Sequence, residues 1–504
     1  EAAPRAAGER RNVFTGGWIG IQCYRLDGRW KPDGKGSSRF LYRMTERIGG
    51  KLMSCRKKNL TRRRFLKGAA TAATSFAIAS PDLLGGPGRT APNDKMGVAF
   101  IGCGGRGGAQ VGGLSGGNNV VGLCDVDDRR AAGSFKRFAQ APKFKDFRRM
   151  LDKVGKEADV VAVSTPDHTH AVACMAALRL GKHVYCEKPL AHSVHEVRAL
   201  MAEARKQKVV TQLGNQGHSS GDIRKCVEWI RDGAIGKVHT VHAACGAVHT
   251  RVNELPKRSE KPAIPRELDW DLWQGPAAER SYHGMYLPGN WRAWRPYGNG
   301  TIGDWVCHVV DPSFWALDLG APSSIEVLDM VDFDPKKHID TFARGSRIRF
   351  EFPAKGERGP VTLYWYSGVT KIPRTKELDP GKKPPDTGAV IIGDKGAITH
   401  GSHGAGGVRL VPDAAMKAYK QPKQTIPRTR GHHNDFLDAI RNGKKAGSDF
   451  AEYGGPLTEL AMLGIIATNF PGRKLAWDGT NTRFTDCDEA NAFINPPYRK
   501  GWSL

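Results

Sequence analysis

"KMGVAFIGCGGRGG", residues Lys95–Gly108, decides the fold. A short apolar run ending at Ile101 passes straight into Gly102-Cys103-Gly104-Gly105-Arg106-Gly107. This is G-x-G-x-x-G immediately after a strand. Gly102 permits the tight turn, Gly104 lets the backbone approach a pyrophosphate, and Gly107 lets the next helix pack on the strand. Gly105 and Arg106 lie where the unpaired N–H groups of that helix face a phosphate.

The texture downstream strengthens the reading. A second strand, "NVVGLCD", ends at Asp125, about twenty residues on, where an acid accepts ribose hydroxyls. An acid there repels a 2′-phosphate and favours NAD, while Arg129 and Arg130 leave room for NADP. "ADVVAVSTPDHTHA" predicts a buried strand over Val160 to Val163, a Thr165-Pro166 turn and a helix over about Ala171 to Leu180. "GKHVYCEKPL" predicts a strand ending at Glu187-Lys188-Pro189, with a helix over about Val194 to Lys206 and a further strand in "KVVTQLGNQG". Such alternation means a parallel, doubly wound sheet whose ligands bind at the strands' carboxyl ends. Gly102, Asp125, Thr165, Lys188 and Asn215 all fall at such ends.

From Gly217 the period changes. "KVHTVHAACGAVH", "SSIEVLDMVDFD", "SRIRFEFPA", "GPVTLYWYSG", "AVIIGDKGAITHG" and "GVRLVP" alternate apolar with polar residues, as half-buried antiparallel strands do. "TIGDWVCH" sets Asp304 and His308 on one helical face. "LPGNWRAWRPYGNG" offers Trp291, Trp294 and Tyr297 as flat apolar surfaces for a ligand, and Arg292 and Arg295 as forks for an anion. Asn215, Gln216 and His218 are further pocket candidates, and His432 and His433 read as structural.

The resulting map has an irregular extension (1–60), a twin-arginine segment (61–80), a linker (81–94), a Rossmann domain (95–216), an α+β domain (217–480) and a tail (481–504). The fold class is α/β: an N-terminal doubly wound parallel sheet plus a C-terminal α+β domain with an open, mostly antiparallel sheet.

"TRRRFLK" at Thr61–Lys67, a mildly apolar run and Ala77-Ile78-Ala79 resemble a twin-arginine export signal. That implies the Tat machinery as a partner and a periplasmic or otherwise exported location. The apolar run is too short to remain as a membrane span. Residues 1–52 read as an upstream extension, with Met44 or Met53 as the start. The formal charge is +26, but residues 1–80 carry eighteen Lys/Arg against five Asp/Glu, half of that excess. No aromatic RNA-binding motif or zinc-finger spacing accompanies it, so no nucleic-acid partner is expected. The ten Cys include no Cys-x-x-Cys and read as reduced. Cys307 beside His308 has no third ligand at metal spacing, so no metal is expected.

"GCGGRG", "STPDHTHA", "CEKPLA", "WQGPA", "GNGTIGDWVCHVVD" and "HHNDFLDAIRNGK", in that order, resemble the Gfo/Idh/MocA family of nicotinamide-dependent sugar and polyol oxidoreductases. The export signal resembles that of the glucose–fructose oxidoreductase branch, and an inositol dehydrogenase-like activity is equally implied. The resemblance implies a tightly bound NAD or NADP, a carbohydrate or polyol substrate, and a homodimer or homotetramer built on the open sheet. It implies Lys188 as the active-site lysine, with Asp304 and His308 completing a catalytic trio. Thr165, Pro166 and His170 fall on the family's T-P-N-x-x-H turn, with Asp167 where Asn is usual, and Glu187 helps hold the cofactor end. Either His308 or Lys188 can serve as base for the hydroxyl proton, the other handling the oxygen. Two rival functions stand beside net oxidation. One is an NAD-dependent, redox-neutral glycoside hydrolase or lyase; the other is a non-catalytic sugar-binding protein on the same fold.

Overall fold

A computed structural model of the chain describes residues 95–504. The extension, the twin-arginine segment and the linker expected within residues 1–94 lie outside the described residues.

β1 (Gly97–Ile101) is buried at every position, as a central strand covered on both faces must be. It pairs in parallel with β2 (Asn119–Cys124) on one side and β4 (Val160–Val163) on the other. With β3 (Lys143–Phe144), β5 (His183–Cys186) and β6 (Thr211–Leu213) the order is β3-β2-β1-β4-β5-β6, all parallel. Helices at Arg106–Leu114, Asp128–Arg137, Phe147–Val154, His170–Arg179 and Val194–Gln207 connect them. Asp127, Asp146 and Ser193 cap three of these helices by accepting first-turn N–H groups. The strand order reverses between β1 and β4, so a crevice opens at their carboxyl ends.

The second sheet has nine strands: β7 (Val238–Cys245), β8 (Ser324–Val331), β9 (Gly345–Phe352), β10 (Val361–Gly368), β11 (Thr387–Gly393), β12 (Gly396–Gly401), β13 (Arg409–Val411), β14 (Lys474–Asp478) and β15 (Arg483–Phe484). They run β13-β12-β11-β7-β10-β9-β8-β14-β15, and only the β7–β10 pair is parallel. The Gly300–Val309 helix packs on β7, β10 and β11.

One helix joins the two lobes. Gly455–Ala467 is mostly apolar around its whole circumference, its one charge, Glu459, paired with Arg198, and such a helix belongs in a core. It lies against the Val194–Gln207 helix, the Gly300–Val309 helix and β8. Gly464 makes this contact close: a Cβ there would lie 2.5 Å from Ile302 Cδ1. A single apolar cluster therefore runs from Ala99 of the first sheet to Leu475 of the second. Among the described residues eight cysteines are free and buried, and no helix is long and apolar enough to cross a membrane.

Burial leaves an acid-sensitive fold. It pushes His168 and His432 down to about 3, and His170, His192 and His400 down to about 4, from an ordinary 6.5. The unfolded chain binds these protons near 6.5 and the folded chain does not, so stability falls as pH drops from 6.5 toward 4. Asp167 and Glu196, pushed up by burial to about 7 and about 6, act in the opposite sense, as do Asp125 and Glu187, but these four carboxyls face ten histidines shifted down. The urea midpoint is expected to be lower at pH 5 than at pH 7; an equal or higher midpoint would contradict this balance.

Candidate active site

The crevice is a cavity of about 590 Å³ that runs from the glycine loop to the Gly300–Val309 helix. At one end Gly102 turns at φ +83°, and a Cβ there would lie 2.7 Å from the Ser164 carbonyl. A Cβ on Gly104 would lie 2.6 Å from the Arg130 carbonyl oxygen, and one on Gly107 would lie 2.1 Å from that of Gly102. Gly102 and Gly104 line the cavity; Gly107 and Gly105 shape the turn behind it. Asp125 locks the loop, its carboxylate accepting the N–H groups of Cys103 at 2.8 Å and Gly104 at 3.2 Å. Burial raises its pKa against those bonds. Arg129 is engaged by Asp127 at 3.0 and 2.8 Å, whereas Arg130 lines the cavity.

The Thr165-Pro166 turn lies opposite. His170 does not line the cavity: its ring sits between the Thr165 carbonyl at 2.9 Å and the Pro189 carbonyl at 2.8 Å, and its one N–H, as a neutral imidazole, donates to one of them, packing this turn against the Glu187-Lys188-Pro189 turn. Ser164 Oγ and Thr165 Oγ1 are buried at the cavity without protein partners. Glu187 is buried and accepts from Arg106 Nε and Gln216 Nε2, each at 3.0 Å, and from Gln110. Burial raises Glu187, and Arg106 and Lys188 oppose the shift. A glycine cradle that tolerates no Cβ, an acid at the end of β2 and two hydroxyls without partners fit a dinucleotide.

At the far end the lobes meet. Lys188 donates to the Asp304 carbonyl at 3.0 Å and pairs with its carboxylate. Arg292 Nε donates to the same carboxylate at 3.1 Å, and His249 Nε2 lies 3.2 Å from its other oxygen. Burial works against the charge on Asp304, but Lys188, His249 and Arg292 hold its carboxyl well below the ordinary range. Asp304 and His308 both line the cavity, as one helical face predicts, yet Asp304 pairs with Lys188 rather than His308. His308 stacks on His403, ring centroids 4.1 Å apart, and its Nδ1 is buried without a partner. Burial, the Lys188 ammonium and His403 hold it well below 6.5, hence neutral. Asp167 lines the cavity and accepts from Asn299 N at 3.2 Å and Asn299 Nδ2 at 3.0 Å. It thereby ties the β4 turn to the N-terminus of the helix that carries Asp304 and His308.

Other expected substrate contacts divide. Gln216, Trp291 and Arg292 line the cavity, with the Arg292 guanidinium 4.2 Å over the Trp291 ring. Trp294 and Tyr297 instead belong to an apolar cluster with Trp270, Trp273 and Tyr286. Arg295 is half-buried, donating to the Thr341 carbonyl and Thr468 Oγ1, each at 2.7 Å. Asn215 and His218 are buried on Asp311, at 3.2 and 2.9 Å. The loop alternates its faces, so Trp291 and Arg292 face the cavity while Trp294 and Arg295 face the core. His432 is buried on the Leu213 carbonyl at 2.7 Å. Sequence reasoning missed His249, which follows β7, and His403, in the glycine-rich loop after β12. The second histidine of "HGSHGAGG", set in a glycine-rich loop, is a signal that could have found His403.

Fold and site together define a two-lobed, dinucleotide-binding oxidoreductase class. Residues 96–215 match the oxidoreductase family with an NAD-binding Rossmann fold, and residues 222–357 match its C-terminal alpha/beta domain. The chain belongs to this Gfo/Idh/MocA family. It is 25% identical over 189 residues to levoglucosan dehydrogenase of Pseudarthrobacter phenanthrenivorans, covering 38% of this chain and 40% of that protein. It is 28% identical over 154 residues to inositol 2-dehydrogenase of Salmonella typhimurium, covering 30% of this chain and 44% of that one. The chain thus spans less than half of either relative's length. In fold it is similar to the WlbA dehydrogenase from Bordetella pertussis, solved with NADH and UDP-GlcNAcA (TM-score 0.52, 14% identity, 76% of this chain and 99% of that one). It is also similar to aldose-aldose oxidoreductase from Caulobacter crescentus (TM-score 0.50, 16% identity, 76% and 100%).

Gly104→Ala should weaken NAD binding by about tenfold or more, because the new methyl meets backbone and not a side chain that can turn away. Titration calorimetry measures this, and unchanged affinity would remove the glycine loop from the site.

Proposed function

We propose that this protein transfers a hydride between NAD and a secondary hydroxyl of a sugar or cyclic polyol. The observation that carries this reading is convergence: Lys188 from the first lobe and Asp304, His308 and Arg292 from the second line the same cavity as the glycine loop. Gly102, Gly104, Arg106, Asp125, Ser164, Thr165 and Glu187 would hold the dinucleotide, NAD being favoured over NADP by the acid at 125. When bound, the nicotinamide supplies the hydride acceptor for the alcohol carbon.

The chain supplies the rest. Lys188, oriented by Asp304, donates a hydrogen bond to the reacting oxygen. Asp304, itself oriented by Arg292 and His249, keeps that ammonium in place. His308, neutral and with one nitrogen free of protein partners, takes the hydroxyl proton. Trp291 offers an apolar face to sugar C–H groups.

One observation favours a second reading, redox-neutral cleavage of a glycoside. Asp167 lines the same cavity, and burial pushes its carboxyl up to about 7, so an acid is present there near neutral pH. Incubation with NAD and free sugars or aryl glycosides separates the two: steady NADH formation supports the dehydrogenase, and aglycone release without NADH supports cleavage. The Arg62–Arg63 motif supports twin-arginine export as part of the proposal, and the open nine-stranded sheet supports a homodimer or homotetramer. An Arg62→Lys, Arg63→Lys double variant should stay in the cytoplasm, and light scattering reads the assembly.

Lys188→Ala should bind NAD yet lose at least about two powers of ten in turnover, the size expected for a proton-handling group. Near-normal turnover would end that assignment. Because His308 stays neutral below 6.5, the oxidative kcat/KM profile should remain flat through pH 6.5 and fall only at lower pH. A fall centred at 6.5 would show that another base acts.

A further inference from the structure

The stretch from Ile494 to Trp502 crosses the first lobe as a strap. His195 N donates to the Ile494 carbonyl at 3.0 Å, and Tyr498 Oη donates to Glu196 at 2.5 Å. Arg499 then fastens it to the short Trp270–Gln274 helix: Nη1 and Nη2 reach the Asp271 carboxylate and carbonyl at 2.5 and 2.7 Å, and Nε reaches the Gly275 carbonyl at 2.5 Å. This delivers Trp502 to the cavity wall. Its ring lies 6.2 Å from Phe147, and the Arg148 guanidinium sits 4.5 Å over it.

The position along the cavity is informative. Asp125 marks the ribose of the adenosine half, so the purine lies beyond it. Val126, Asp127, Arg130, Lys145 and Phe147 line that end, and Trp502 lines it with them. Arg148 and Arg499 flank the Trp502 ring, their guanidiniums 4.5 and 6.0 Å from its centroid, and indole and guanidinium are both planar faces of the kind a purine ring stacks on.

We propose that Trp502 is a purine-stacking wall of the nucleotide site, and that the Arg499-anchored strap, by holding that wall in place, slows release of the dinucleotide. This deepens the NAD reading and rests on it. The test compares the full chain with Trp502→Ala, Trp502→Phe and Arg499→Ala, freed of cofactor and titrated with NAD, ADP-ribose and nicotinamide mononucleotide. Trp502→Ala is expected to weaken NAD and ADP-ribose about tenfold or more and to speed NAD release, with nicotinamide mononucleotide unchanged. Trp502→Phe should keep wild-type affinity within about threefold, and Arg499→Ala should shift in the same direction as Trp502→Ala. ADP-ribose bound equally by all four proteins, or an equal loss for all three ligands, would overturn the wall. If Trp502→Ala does not fold, an Arg499→Ala protein with unchanged ADP-ribose affinity and NAD release overturns it. Failure of the wild type itself to bind NAD or ADP-ribose is a different result: it ends the NAD reading and the wall with it.

Discussion

A buried ammonium and a buried carboxylate can leave water only together, and here they come from different lobes. Lys188 closes the turn after β5; Asp304 stands on a helix more than a hundred residues later. Both side chains are largely covered, at 11% and 14% exposure. Such a pair adds little net stability but is costly to break: without Lys188 the Asp304 carboxylate keeps only Arg292 and His249, and without the carboxylate the ammonium keeps only a carbonyl at 3.0 Å. Its consequence is therefore geometric: the lobes must close in one register. The field of the pair also reaches the neighbouring groups. It keeps the Asp304 carboxylate ionised, and the Lys188 ammonium helps keep His308 neutral.

That closure is supported from two directions. The apolar Gly455–Ala467 helix makes a common core behind the site, so the lobes share packing and not merely a hinge. In front, Asp167 holds Asn299, and His170 holds the two strand-end turns against each other. Asp167 stands where the family's turn usually has Asn. Here a carboxylate oxygen accepts from both the backbone and the side chain of Asn299, which an amide oxygen could also do. The extra consequence of the acid is that it can hold a proton: burial raises its carboxyl to about 7, with the Arg292 and Lys188 charges opposing that shift and Asp304 adding to it.

Much of this was legible in the residues. Period, glycine spacing and strand-end position are local properties, and they located the parallel sheet, the loop, Asp125 and the Lys188 turn. The alternating segments after Gly217 became strands at the expected places. The pairing order was not legible, because β7 lies between β10 and β11 and runs parallel to one of them. Nor was the division within "NWRAWRPY", where Trp291 and Arg292 face the cavity while Trp294 and Arg295 are consumed by the core. Composition is the same on both sides of that loop, and only packing distinguishes them.

By itself, then, the sequence determined what depends on neighbours in the chain: a strand–glycine–helix unit that accepts a dinucleotide, and two half-sites, each with chemistry but no partner. Tertiary structure decided which half-site groups touch. It turned Asp304 from His308 toward Lys188, brought His249 to that carboxylate and His403 to the face of His308, and carried Trp502 to the opposite end of the cavity. The physical reason is separation along the chain. Contacts across fifty to several hundred residues are set by how sheets and helices exclude water together, and no local pattern encodes that.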